Sequence, residues 1–220
     1  MTFAIVFFGW IFSLCLHEFS HAIVAYYGGD HTVKEKGYLS FNPLRYTHPL
    51  FSIILPLVFL LMGGIGLPGG AVYIETWRLR SPRWRSAVSV AGPASNLALA
   101  MVLAIVMKFA PSSVDYTNNG MSPWPGLAFL LFVEISAIVL NLIPLPPFDG
   151  YGIIEPFLND AIRDQVNRVR AWLPFVVFFA LWYVPVVYNA FSFVILILAS
   201  IFGVPGYLVA DGYARFQFWR

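Results

Sequence analysis

Two histidines four residues apart, with a glutamate beside the first, make up the segment His17-Glu18-Phe19-Ser20-His21. On a helix, residues four apart lie about 40° from one another around the axis, so both imidazoles share one face and Glu18 borders it. That arrangement suits a tetrahedral cation held by two ring nitrogens, with the carboxylate left to act as general base on a bound water. The implied chemistry is metal-assisted hydrolysis. Its setting is unusual, because the segment lies inside an apolar stretch running from Phe3 to Tyr27. An ionisable side chain at bilayer depth costs roughly 2.5 to 3.5 kcal/mol for Asp, Lys or Arg on insertion scales, so groups kept there are functional suspects. The plainer alternative is a polar helix face that lines a pore or pairs with a neighbouring helix.

A catalytic zinc site takes three protein ligands and keeps a fourth position open for water. His31 and His48 both fall in the polar segment after the first apolar run, away from bilayer depth. Asp149 is the better third ligand. It lies in Asn141-Leu142-Ile143-Pro144-Leu145-Pro146-Pro147-Phe148-Asp149-Gly150, where the prolines stop a helix and impose extended backbone. A carboxylate at a broken helix end can reach into the protein interior instead of lipid. The alternative for Asp149 is the N-cap of a short helix starting near Gly150. Cys15, the single cysteine, excludes an intrachain disulfide and reads as a small core residue. Two imidazoles and a carboxylate suit one zinc ion better than magnesium or calcium.

The elements that must position these groups follow from composition. Hydrophobic residues make up 59% of the 220 and charged residues 11%, with a mean hydropathy of +0.74. Such a chain is an all-α polytopic membrane protein. Apolar runs at Phe3 to Tyr27, Pro49 to Leu67, Ser86 to Ala110, Gly126 to Leu145 and Ala171 to Ala210 predict five to six transmembrane helices. The first run lacks a basic flank and is too long for a signal segment, so it is expected to be retained. The last is long enough to cross twice, with its best turn at Tyr183 to Asn189. Pro49 to Leu67 is short, contains Pro56 and ends in a glycine cluster. A full crossing there would put the Lys34, Lys36 and Arg45 loop opposite the Arg78, Arg80, Arg83 and Arg85 loop, against the usual basic-loop bias. A re-entrant segment removes the conflict and makes all basic loops cytoplasmic, including the one holding Arg163, Arg168 and Arg170. A short β element is expected at Gly70 to Ile74, where β-branched and aromatic residues follow glycines. The formal net charge of +2 is too small to imply nucleic acid.

Three segments in order, His17 to His21, Ala91-Gly92-Pro93-Ala94-Ser95-Asn96 and Asn141 to Gly150, resemble the site-2 protease family of intramembrane zinc metalloproteases. Phe41-Asn42-Pro43-Leu44-Arg45 is similar to the smaller bacterial members. The resemblance implies zinc on His17, His21 and Asp149, Glu18 as base, Asn141 holding substrate or oxyanion, and Asn96 lining the cavity as a substrate contact. It places a metalloprotease core at 1–156, with 157–220 adding a cytoplasmic connection and a C-terminal membrane hairpin within the same domain. There is room for neither a PDZ nor a CBS module. The expected partners are a membrane-spanning protein or peptide substrate and the lipid bilayer, and the expected location is the bacterial inner membrane. Plainer readings stay open: Gly92 to Asn96 as close helix packing, and Asn141 as a partner for backbone freed by Pro144. Phe148 reads as packing. Glu134, alone in the fourth apolar run, has no partner that the sequence names. A metal-transit protein and an inactive scaffold with the same fold compete with the protease.

Overall fold

The computed structural model describes residues 1–45, 72–110 and 122–217. Helix α1 spans Thr2–Gly28 and α2 is the short turn Thr32–Glu35. They are followed by α3 (Pro82–Met107), α4 (Trp124–Asn141), α5 (Asp149–Ile154), α6 (Asp160–Val169), α7 (Leu173–Tyr183), α8 (Pro185–Ile201) and α9 (Gly206–Phe216). At roughly 1.5 Å per residue, α1 and α3 each run about 40 Å, more than the ~30 Å of bilayer hydrocarbon. α1 stops where Gly29 turns left-handed at φ 119° and the amide of Asp30 returns to the Ala25 carbonyl at 3.0 Å. α3 begins at Pro82, whose missing N–H costs nothing in a first turn.

α1, α3 and α4 are long and apolar enough to cross a membrane. A fourth candidate is the pair α7 and α8, which meet at Val184 with an 88° bend. The protein is therefore an all-α polytopic membrane protein with three, or up to four, long apolar spans among the described residues. The break falls where Pro185 removes an N–H, inside the stretch expected to turn. Pro49 to Leu67 lies outside the described residues. Val72 to Ile74 have no regular secondary structure, and no strand occurs among the described residues; Gly70 and Ala71, the start of the expected β element, lie outside them.

α4 is the central helix: 72% of its spanning window is buried, against 44% for α1 and 33% for α3. Leu131, Ile135 and Leu140 on α4 pack with Val6 and Trp10 of α1, Ala100 and Leu103 of α3, and Phe216 of α9. A second cluster joins Cys15, Ala22 and Ala25 of α1 to Val33, Leu79 and Val88. Cys15 is a buried core residue. Phe8, Phe12, Met101, Val102 and Ile105 are exposed on the outer faces of α1 and α3, as lipid contact requires. At one end of the bundle the chain is tied back on itself. The amide of Arg80 donates to the Gly28 carbonyl (2.9 Å), that of Glu75 donates to buried Asp30 (2.7 Å), and Lys36 pairs with Glu75 at 2.9 Å.

Candidate metal centre

His17, Glu18 and His21 are all buried on α1, inside the bundle. α5 brings Asp149 to them across the sequence. His17 Nε2 lies 3.2 Å from Asp149 Oδ2, His21 Nε2 lies 3.3 Å from Asp149 Oδ1, and the two Nε2 atoms are 3.0 Å apart. One ligand atom from each residue falls within 4.8 Å of the others. Asp149 is the first residue of α5, behind Phe148 at the N-cap, and Phe148 is buried in the main core, as its reading as packing requires.

The outer nitrogens explain which atoms face inward. His21 Nδ1 meets the Val88 carbonyl at 2.6 Å and His17 Nδ1 meets Asn96 Oδ1 at 2.5 Å. Each acceptor calls for a protonated Nδ1, which leaves both neutral rings with Nε2 lone pairs pointing at each other and at the carboxylate. Asp149 Oδ2 is buried and has no hydrogen-bond partner among the described residues. Four electron-rich atoms turned together repel unless a cation sits among them, and an N, N, O set is a zinc set. These residues fit the ion. Gly92 completes the cradle, because a Cβ there would stand 2.5 Å from Cε1 and Nε2 of His17 and against Nε2 of His21. α3 can approach the histidines this closely only at a residue without a side chain.

Glu18 has a partner of its own. Its Oε2 accepts the Val72 amide at 2.9 Å, so the segment before α3 reaches the border of the site. Asn96 is buried, with its amide spent on side chains: Oδ1 on His17, Nδ2 on Ser13 Oγ at 2.8 Å and on Glu134 Oε2 at 2.9 Å. Asn141 is buried at the last residue of α4, and among the described hydrogen bonds none joins it to the cluster. His31 stacks edge-on against Tyr26, away from the site, and His48 lies outside the described residues. Sequence reasoning missed Ser13, the Val88 carbonyl and the Val72 amide. Ser13 was open to detection, since it precedes His17 by four residues and shares the face of His17 and His21. Backbone partners leave no such signal.

A helical membrane bundle holding two histidines of one helix and an aspartate of another in this geometry has a zinc-protease-like metal site. Residues 3–122 match the model of peptidase family M50, and relatives of that kind align over nearly all of the chain. The chain belongs to peptidase family M50. It is 41% identical to the zinc metalloprotease relative Rip2 of Mycolicibacterium smegmatis, over 99% of this chain and 82% of that one. Identity to Rip2 of Mycobacterium tuberculosis is also 41%, with the same coverage. The Bacillus subtilis relative YwhC, again named a zinc metalloprotease, is 30% identical over 80% of this chain and 78% of its own. No solved structure matches. The protein is thus an integral, multi-pass membrane protein of bacterial type, with a His17, His21 and Asp149 cluster among its described residues that fits one zinc ion.

Proposed function

We propose that this protein is an intramembrane zinc endopeptidase that hydrolyses peptide bonds within or next to transmembrane segments of membrane-protein substrates. The observation that carries the reading is the convergence of His17, His21 and Asp149 inside the bundle, with the Glu18 carboxylate on the same helix turn as the histidines. His17, His21 and Asp149 hold the ion and Glu18 is not a ligand. Zinc bound there supplies Lewis acidity, lowering the pKa of water toward neutrality and polarising a peptide carbonyl. Glu18 takes the proton of the attacking water as the new C–O bond forms, and passes it to the leaving amine as the C–N bond breaks. Asn141 holds substrate or the developing oxyanion. Asn96 lines the same interior, but its amide is committed to His17, Ser13 and Glu134, so its part is played through the ligand, as argued below.

A substrate helix hides its scissile carbonyl in i to i+4 hydrogen bonds and must unwind before attack. The segment around Gly70 to Ile74 is a docking edge for the extended substrate in this reading. Its support is the Val72 amide already at Glu18. The whole chain is proposed to make five to six crossings in the bacterial inner membrane, with Pro49 to Leu67 re-entrant and a core at 1–156 followed by the connection and membrane hairpin of 157–220. The tie of Gly28, Asp30 and Lys36 to Arg80 and Glu75 supports the re-entrant segment, because the chain that leaves the end of α1 returns to the same end of the bundle at α3.

Purified protein assayed for bound zinc and for cleavage of single-span peptides in detergent or liposomes tests this reading. One zinc per chain is expected, with turnover abolished by chelation. Glu18→Gln should keep the zinc and lose about 10²- to 10⁴-fold in turnover, the usual weight of a general base, whereas His17→Ala should lose the metal itself. Equal zinc loss in both variants would overturn the division of roles.

A further inference from the structure

Glu134 is buried in the middle of α4 at 1% exposure, and the proposed hydrolysis makes no use of it. A carboxylate at that depth is retained against its solvation cost, so its contacts are informative. Oε2 accepts two hydrogen bonds, from the Ser13 hydroxyl at 2.7 Å and from Asn96 Nδ2 at 2.9 Å. Asn96 Nδ2 also donates to Ser13 Oγ at 2.8 Å, closing a triangle between α1, α3 and α4. From its other end Asn96 Oδ1 meets His17 Nδ1 at 2.5 Å.

The direction of these bonds follows from the atom types. A carboxylate oxygen that already accepts from Ser13 requires a donor from Asn96, so the amide must turn its NH2 toward Glu134. Its carbonyl then faces His17. The reversed amide would set Oδ1 against Oε2, two acceptors in contact, and leave His17 Nδ1 facing a donor. With Oδ1 toward it, His17 carries its proton on Nδ1, and Nε2 keeps the lone pair that points at Asp149 and His21. We propose that Glu134 is a positioning residue for the metal centre: through Asn96, and steadied by Ser13, it fixes the orientation and tautomer of His17 that the metal requires. This rests on the reading of His17, His21 and Asp149 as the zinc ligands.

The proposal turns on an acceptor at the Oε2 position, and that separates it from a role in packing or in charge alone. The test measures zinc affinity by competition with a chromogenic chelator on the full-length protein in detergent, together with the visible spectrum of the cobalt(II)-loaded protein. Glu134→Met keeps bulk but removes the acceptor. It should weaken zinc binding by about 10- to 100-fold, the usual effect of losing a partner behind a metal-binding histidine, and should alter the cobalt bands. Glu134→Gln, whose amide oxygen can accept the same two bonds, should recover affinity to within about threefold of wild type and restore the spectrum. Asn96→Ala should match Glu134→Met, and the double variant should be no weaker than Asn96→Ala alone, because both changes cut one relay. If Glu134→Met does not yield folded protein, the Asn96→Ala and Glu134→Gln arms decide. Unchanged zinc affinity and cobalt bands in Asn96→Ala or Glu134→Met would overturn the relay, and so would a Gln variant as weak as the Met variant. A wild-type protein that binds no zinc would overturn the metal reading instead, and the relay with it.

Discussion

Gly92 shows how one residue type can decide a metal site. Its Cα carries only hydrogen where a methyl group would overlap both imidazoles, yet glycine in a helix interior is disfavoured by roughly 1 kcal/mol relative to alanine. The helix accepts that penalty in exchange for a close approach to His17 and His21. Gly92→Ala should therefore separate two quantities that usually move together. Zinc affinity should fall by about tenfold or more, since neither ring can keep its place, while the propensity of α3 itself improves. Chelator competition and thermal unfolding of the metal-free protein measure the two effects. Wild-type zinc affinity in Gly92→Ala would mean that the glycine serves helix packing alone.

At the scale of elements, the end of α1 and the segment before α3 are held together by a small polar cluster outside the membrane spans. The hydrogen bond from Arg78, then that from Lys36, holds the Glu75 carboxyl below the usual carboxylate range. A carboxylate whose value is lowered on folding contributes stability that is complete above the unfolded value, about 4.3, and is lost as pH falls through the lower folded value. The latch should thus be intact at neutral pH and open only in acid. Glu75→Gln should speed amide hydrogen exchange across residues 75–80 at pH 7 by no more than about fivefold, the scale of a solvent-accessible ion pair. As pH falls through that lower folded value the variant and the wild type should converge. A difference that persists unchanged in acid would show that Glu75 acts through packing and not through its charge. Val72, three residues before Glu75, donates to Glu18, so looser exchange should be accompanied by slower peptide cleavage in the proposed reaction.

The molecule as a whole sets a burial problem for its substrate. In the proposed reaction, a site within a helical bundle acts on a peptide bond only after the substrate helix has opened, and the enzyme then supplies partners for the freed backbone groups. Cleavage should follow substrate helix stability. Gly or Pro placed slightly to one side of the cut lowers helix stability by roughly 1 to 3 kcal/mol relative to Ala, and should raise the cleavage rate across a peptide series, with a uniform Leu helix the most resistant member. Rates measured in liposomes against helicity from circular dichroism give the test. Indifference to helix stability, with soluble unfolded peptides cut equally well, would point to hydrolysis at the membrane surface.

Much of this protein could be read from residue order alone. The spacing of His17 and His21 places both rings on one helix face whatever surrounds them, because helical period is a local property. Apolar runs of bilayer length define α1, α3 and α4 for the same reason, and Pro185 marks the break that follows Tyr183. Asp149 was legible as a candidate because the prolines before it end a helix. Its distance from the histidines was not, since that depends on how α5 returns across more than a hundred residues of chain. Glu134 stood out in the sequence as an isolated charge, but its meaning required Ser13 and Asn96 to arrive from two other helices. Asn96 was expected beside substrate, while packing turned its amide toward His17. Local spacing determines which groups are available for chemistry; only the crossing of helices decides which of them meet, because hydrogen bonds between distant residues follow from packing that no single segment encodes.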